Sequence, residues 1–171
     1  DVYKRQPITS LGDIYTQGPY FLIKRRDTGS YLYVQDDKLY ASTGDRTPQA
    51  VLDECSGDRY YDYVWELIPS GSGYYLRNVQ TEDYVETVKS AYDSYETNRL
   101  KMVAQSEADT FNVSRNGNYF LFRSNYYWDR YGSSAYINTR GTDNTLVVGW
   151  HDVGNWSQFA LYPLTMQTGL K

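Results

Sequence analysis

Cysteine, histidine, long aliphatic runs and positive charge are all scarce in this chain of 171 residues. The lone cysteine, Cys55, excludes any internal disulfide, so packing alone must hold the fold. Its neighbours Asp53, Glu54, Ser56 and Gly57 point to a loop. The lone histidine, His151, would have to serve any Ser-His-Asp triad or histidine-based metal site. Asp152 follows it directly, and adjacent residues on a strand face opposite ways. No HExxH, GxSxG or Cys/His spacing occurs. His151 therefore reads as a surface hairpin residue. No catalytic residue, metal site or cofactor is expected. The carboxylates that glycoside hydrolysis would need lie mostly in turns, so the chain is not expected to be an enzyme. No hydrophobic run approaches the length of a membrane span, so membrane insertion is not expected either.

Lys and Arg total 17 against 21 Asp and Glu, a formal net charge of −4. A general nucleic-acid binder needs a basic face, so nucleic acid is not an expected partner. The one basic cluster, Lys24-Arg25-Arg26, reads as a solvated strand or turn. No leader segment stands at the start. The first six residues, DVYKRQ, match the translation of a transposon end used in sequencing-library preparation. Asp1 to Gln6 are thus expected to be foreign to the protein, with the true N-terminus lost; a natural polar linker is the alternative. Residues 1–17 read as a linker and 165–171 as a tail.

What the chain does have is aromatic residues, above all 20 Tyr and 4 Trp. Tyrosine suits β structure and wet, amphipathic surfaces. Three segments repeat, at about 18–70, 71–116 and 117–164. They open GPYFLIKR from Gly18, GYYLRN from Gly73 and GNYFLFRS from Gly117. A second short strand follows in each: Tyr31-Leu32-Tyr33, Tyr84-Val85 and Tyr136-Ile137. Third strands are expected at Leu39–Ala41, Leu100–Ala104 and Leu146–Trp150. The fourth strands close around Trp65, Phe111 and Phe159, which recur at intervals of 46 and 48 residues. Each anchor is followed two residues later by Leu67, Val113 or Leu161, the alternation of a half-buried strand. Helix signals are weak. Glu86–Arg99 has no apolar stripe of period 3.6 and reads as a long loop. Turn clusters such as Asp27-Thr-Gly29, Asn116-Gly-Asn118 and Arg140-Gly-Thr-Asp-Asn144 punctuate the strands. The fold class is all-β, and the threefold count predicts a β-trefoil of three four-stranded repeats with pseudo-threefold symmetry over residues 18–164. A seven-strand sandwich is the alternative.

The stretches IKRRDTGSYL from Ile23 and GWHDVGNWSQF from Gly149 resemble ricin-type β-trefoil (ricin B-like lectin) domains, especially divergent bacterial accessory ones. The resemblance spans Gly18 to Leu164. It implies a carbohydrate-binding module of a larger secreted or cell-surface protein, with a glycan as partner. The family's closing Gln-x-Trp is not kept: the chain has Tyr63-Val-Trp65, Asp109-Thr-Phe111 and Ser157-Gln-Phe159. The absent glutamines favour the other reading, a structural or protein-binding trefoil without a sugar site.

The family's pocket uses an acid after the second strand, an aromatic platform and an amide near the closing strand. In the first repeat this implies Asp36 and Asp37, with Tyr33 and Tyr40 close by; Asp62 stands where the amide should be. In the second, Val88-Lys89 replaces the acid, and no pocket is expected. In the third, Asn138 lies near the acid position, while His151, Asp152, Asn155 and Trp156 crowd the closing hairpin. Asp152 and Asn155 would bond sugar hydroxyls and Trp156 would stack. Trp150 is in phase with Leu146 and Val148, which points it inward as core. Trp128 lies in the insertion Asn125–Tyr131, which either folds back on the barrel or lines a groove.

Overall fold

In a computed structural model of the chain, the described residues are 6–54, 62–87, 99–140 and 146–164. Cys55, Val88-Lys89, the tail and most of the turn after Arg140 lie outside them. The first repeat carries β1 (Tyr20–Arg25), β2 (Leu32–Gln35), β3 (Lys38–Ala41) and β4 (Trp65–Ser70). The second carries β5 (Gly73–Asn78), β6 (Tyr84–Glu86), β7 (Lys101–Val103) and β8 (Phe111–Asn116). The third carries β9 (Tyr119–Ser124), β10 (Tyr136–Asn138), β11 (Val148–Trp150) and β12 (Phe159–Pro163). First and fourth strands pair antiparallel around a closed ring, β1–β4–β5–β8–β9–β12 and back to β1. Closure removes the free edges of a six-stranded barrel. The other strands form three hairpins. These meet at one end through Lys38–Lys101, Tyr40–Leu146 and Arg99–Val148. This is the β-trefoil that the repeats predict, not a sandwich.

The three closing aromatics mark the threefold axis. Trp65 faces Phe21, Phe111 faces Tyr74 and Phe159 faces Phe120 across the ladders. All three anchors are fully buried, and Leu67, Val113 and Leu161 pack into the same core. Trp65 also has a polar edge to satisfy, and its indole donates to the Leu32 carbonyl at 3.0 Å.

Three seven-residue helices depart from the all-strand expectation: α1 (Leu11–Gln17), α2 (Pro48–Glu54) and α3 (Asn125–Tyr131). Two turns are too short to display an apolar stripe, so periodicity does not reveal them. Caps do. Ser10 Oγ accepts from the Asp13 amide, and Asp13 reaches back to the Thr9 amide, a box of the S-x-x-D kind. Ile8 and Ile14 sit in the main core, and the Ile8 amide donates to the Leu161 carbonyl at 2.9 Å. The segment read as a linker thus packs against the barrel over residues 8–17. In the insertion, Ser124 caps α3 through the Tyr127 amide, and Gly132 ends it at φ 64°. The basic cluster is not solvated as a unit. Arg25 is buried and ion-paired to Asp27 at 2.8 Å, because its place at the end of β1 turns it inward beneath the third repeat.

Candidate functional site

A cleft of about 520 Å³ opens on the third repeat, lined by Asn138, Trp150, His151, Asp152, Asn155 and Trp156. Asn138 ends β10 and Trp150 ends β11; residues 151–154 turn the chain, and a 3-10 turn over Asn155–Ser157 leads into β12. Hydrogen bonds fix this hairpin. Asp152 accepts from the Gly154 amide at 3.1 Å, an Asx turn. Gln158 donates from Nε2 to the Val153 carbonyl at 2.8 Å. The Trp156 carbonyl accepts from both the amide and the hydroxyl of Thr139, at 2.9 and 3.0 Å. Asn138 donates to Ser157 Oγ at 2.9 Å and accepts from the Arg140 amide at 2.7 Å. The cleft walls are therefore set by the fold before anything binds.

Five residues that the sequence singles out meet here: Asn138, His151, Asp152, Asn155 and Trp156. Their duties differ. Asn138 is buried and spends its amide on the frame. His151, Asp152 and Asn155 are exposed and offer a ring, a carboxylate and an amide to solvent. Trp156 is 43% exposed, with the buried Arg25 guanidinium 5.8 Å from its ring. Arg25 carries no sequence signal for this role, since it stands 131 residues away.

Trp150 overturns its reading as core. It is half-buried, lines the cleft and lies 5.1 Å from the His151 ring. The inward phase belongs to Val147 and Gly149 instead. A Cβ on Gly149 would meet Thr87 Oγ1 at 3.0 Å and Leu100 and Ala135 at 3.6 Å, so Gly149 is the residue against the interior. That close approach favours a small residue at 149, and Trp150, next along the strand, faces outward.

Trp128, Asp36, Asp37 and Tyr40 do not line this cleft. Trp128 sits on α3, 43% exposed, with the Arg123 guanidinium 4.2 Å over its ring. Asp36 and Asp37 form the two-residue turn between β2 and β3, at φ 51° and 62°. They occupy the left-handed conformation that such tight hairpins demand. Tyr40 lies 5.7 Å from Tyr33 and 5.0 Å from the Arg99 guanidinium.

The first repeat has a smaller hollow of about 250 Å³, lined by Tyr33, Ser42, Thr43, Arg46, Glu54 and Tyr63. Strand pairing makes it the counterpart of the cleft. Tyr31 bridges Lys24 as Tyr136 pairs with Arg123, which equates Tyr33 with Asn138. Across the hairpins, Ser42 faces Tyr31 as Trp150 faces Tyr136. The walls of the hollow are held together by their own side chains. Tyr33 stacks on Tyr63 at 5.0 Å, and Arg46 is salt-bridged to Glu54. Burial pulls the Arg46 pKa down, but its bonds to Tyr63 and Glu54 outweigh that and leave it raised. Neither Asp36 nor Asp37 lines the hollow. Among the described residues, no group of three or more His, Cys, Asp or Glu could hold a metal ion.

No protein-family model matches the chain, and no curated protein does. Solved structures do. One is a GlcNAcα1-4Gal-releasing endo-β-galactosidase from Clostridium perfringens, 19% identical at TM-score 0.60, with 85% of this chain matching 32% of that one. Another is a Polyporus squamosus lectin solved with Neu5Acα2-6Galβ1-4GlcNAc, 13% identical at TM-score 0.65, covering 85% of this chain and 49% of the lectin. A third is the designed threefold-symmetric protein ThreeFoil, 18% identical at TM-score 0.62, covering 86% of this chain and all of that one. The chain thus spans about a third of the enzyme and half of the lectin. At these identities the likeness speaks for architecture: the chain has the β-trefoil fold.

Proposed function

We propose that the chain is a non-catalytic carbohydrate-binding module, carried by a larger secreted or cell-surface protein, that takes a glycan in the third-repeat cleft. One observation carries this reading: two partly open indoles, Trp150 and Trp156, converge with the exposed polar groups of His151, Asp152 and Asn155. A sugar ring has an apolar face that stacks on an aromatic and a rim of hydroxyls that need donors and acceptors. Trp150 and Trp156 are the platforms; Asp152 accepts, and Asn155 both donates and accepts. Asn138 positions the closing turn from beneath. Two observations from the comparisons support the reading. A trefoil of this fold makes up part of a galactosidase, and another makes up about half of a lectin solved with a galactose-containing glycan.

The open cleft offers few anchors, so binding should be weak, with Kd roughly 10 μM to 1 mM. The test is a glycan array probed with the full chain, galactosides included, followed by titration of the retained sugars with and without EDTA. Binding that survives EDTA and is lost in Trp156→Ala is the expected result. An array that retains nothing favours the structural or protein-binding trefoil.

A further inference from the structure

The outer wall of the cleft continues as a row of side chains across three strands. Arg123 on β9 pairs with Tyr136 on β10, and Tyr136 pairs with Trp150 on β11. Directly opposed residues of an antiparallel ladder project to the same face. Their neighbours Phe122, Ile137 and Gly149 are buried, and Arg123, Tyr136 and Trp150 are each half-buried on the outside. At the far end, Trp128 lies against the Arg123 guanidinium at 4.2 Å and stays 43% exposed. The surface therefore runs from Trp156 and Trp150 through Tyr136 and Arg123 to Trp128. Adjacent strands lie about 4.8 Å apart, so Trp150 to Arg123 is about 10 Å and Trp128 extends it further.

A single sugar ring would occupy the cleft and leave the rest of this row unused. Among the described residues, α3 has no helix in its place after β1 or β5, so the insertion falls on the repeat that carries the open cleft. A single exposed aromatic needs no occupant, but Trp128 continues a row that already holds Trp150 and Trp156, and a patch of that kind marks a binding surface. We infer that the cleft and the row form one extended track for a linear glycan chain. One ring seats in the cleft, and a ring further along the chain stacks on Trp128. Flat aromatic faces alternate here with the planar donors of Arg123, which suits a ligand that repeats ring faces and hydroxyl rims. The inference rests on the sugar-binding reading of the cleft.

The test is calorimetric titration of the full chain with linear ladders, from monomer to hexamer, of N-acetyllactosamine, galactose, glucose, xylose and mannose units. For a ladder whose short members bind in a Trp156-dependent way, affinity should rise on the order of tenfold from dimer to tetramer, the worth of one more stacked ring. Trp128→Ala should abolish that rise, and Tyr15→Ala, on α1, should leave it in place. If Trp128→Ala does not fold, Arg123→Lys breaks the planar stack while keeping the charge, and the same flattening is expected. Affinity that is flat with length on a working cleft, or a rise that survives both variants, overturns the track alone. If no ladder binds in a Trp156-dependent way, the sugar-binding reading falls and the track falls with it.

Discussion

Trp65, Trp150 and Trp156 are one residue type in three environments, and Trp65 and Trp156 should answer truncation differently. Trp65 is fully buried and hydrogen-bonded to the Leu32 carbonyl. Trp65→Ala should cost about 3–5 kcal/mol of stability in denaturant unfolding, because it empties a large core site. Trp156 stands in the closing hairpin with nearly half its surface open. Trp156→Ala should cost about 1–3 kcal/mol of glycan affinity, by analogy with bases stacked on aromatics, and change stability by no more than about 0.5 kcal/mol. Titration together with thermal melting checks both. A melting collapse in Trp156→Ala would place its indole in the core and remove the platform. Trp65 was legible from the repeat interval. Trp150 was not, because three consecutive buried residues, Val147, Val148 and Gly149, erase the alternation that its reading relied on.

At the scale of elements, the β2–β3 hairpin and α1 carry the clearest expectations. Asp36 and Asp37 both hold positive φ in a two-residue turn. The pair Asp36→Asn, Asp37→Gly supplies the residues that this turn prefers and should stabilise the fold by up to about 1 kcal/mol. It should also leave glycan binding unchanged, since neither carboxylate reaches the cleft. Lost binding would restore the pocket that the family pattern implies at the first repeat. For α1, Ile14→Ala should cost about 2–5 kcal/mol, the range for a buried large-to-small change, because Ile14 lies in the main core. A neutral outcome would return residues 8–17 to the status of a linker. Ser10 and Asp13, which cap α1, are the local signal that the linker reading passes over. The docking of α1 has no such signal, since nothing local says that Ile8 bonds to Leu161.

At the scale of the whole molecule, a second apolar cluster beside the main core buries phenols that respond to pH. The Tyr31 phenol donates to the Arg46 carbonyl at 2.9 Å, and burial, aided by Tyr162 and Asp45, raises its pKa well above the ordinary tyrosine value. Burial, with Tyr119, also raises Tyr162. Protonated phenols are thus favoured in the folded state. That contribution is complete below the unfolded tyrosine pKa of about 10 and is lost as pH rises above it. Urea midpoints should fall from pH 8 to pH 11, and Tyr31→Phe should flatten the fall. An unchanged slope in Tyr31→Phe would show that other groups govern the alkaline loss.

The sequence by itself determined the barrel. Four short alternating strands, repeated three times around a buried aromatic, cannot cover their apolar faces one repeat at a time, and three copies close a ring. It also brought five cleft residues into view, because they cluster in the chain around one turn and the end of β10. Only the tertiary structure decided the rest. Gly149, not Trp150, looks inward on β11, toward Thr87, Ala135 and Leu100. Arg25 lies beneath Trp156 because β1 pairs with β12. Trp128 joins the row through Arg123, a partner that pairing between β9 and β10 aligns with Tyr136. The first two depend on contacts between segments far apart in the chain and the third on pairing across the α3 insertion, and periodicity within a strand carries no information about any of them.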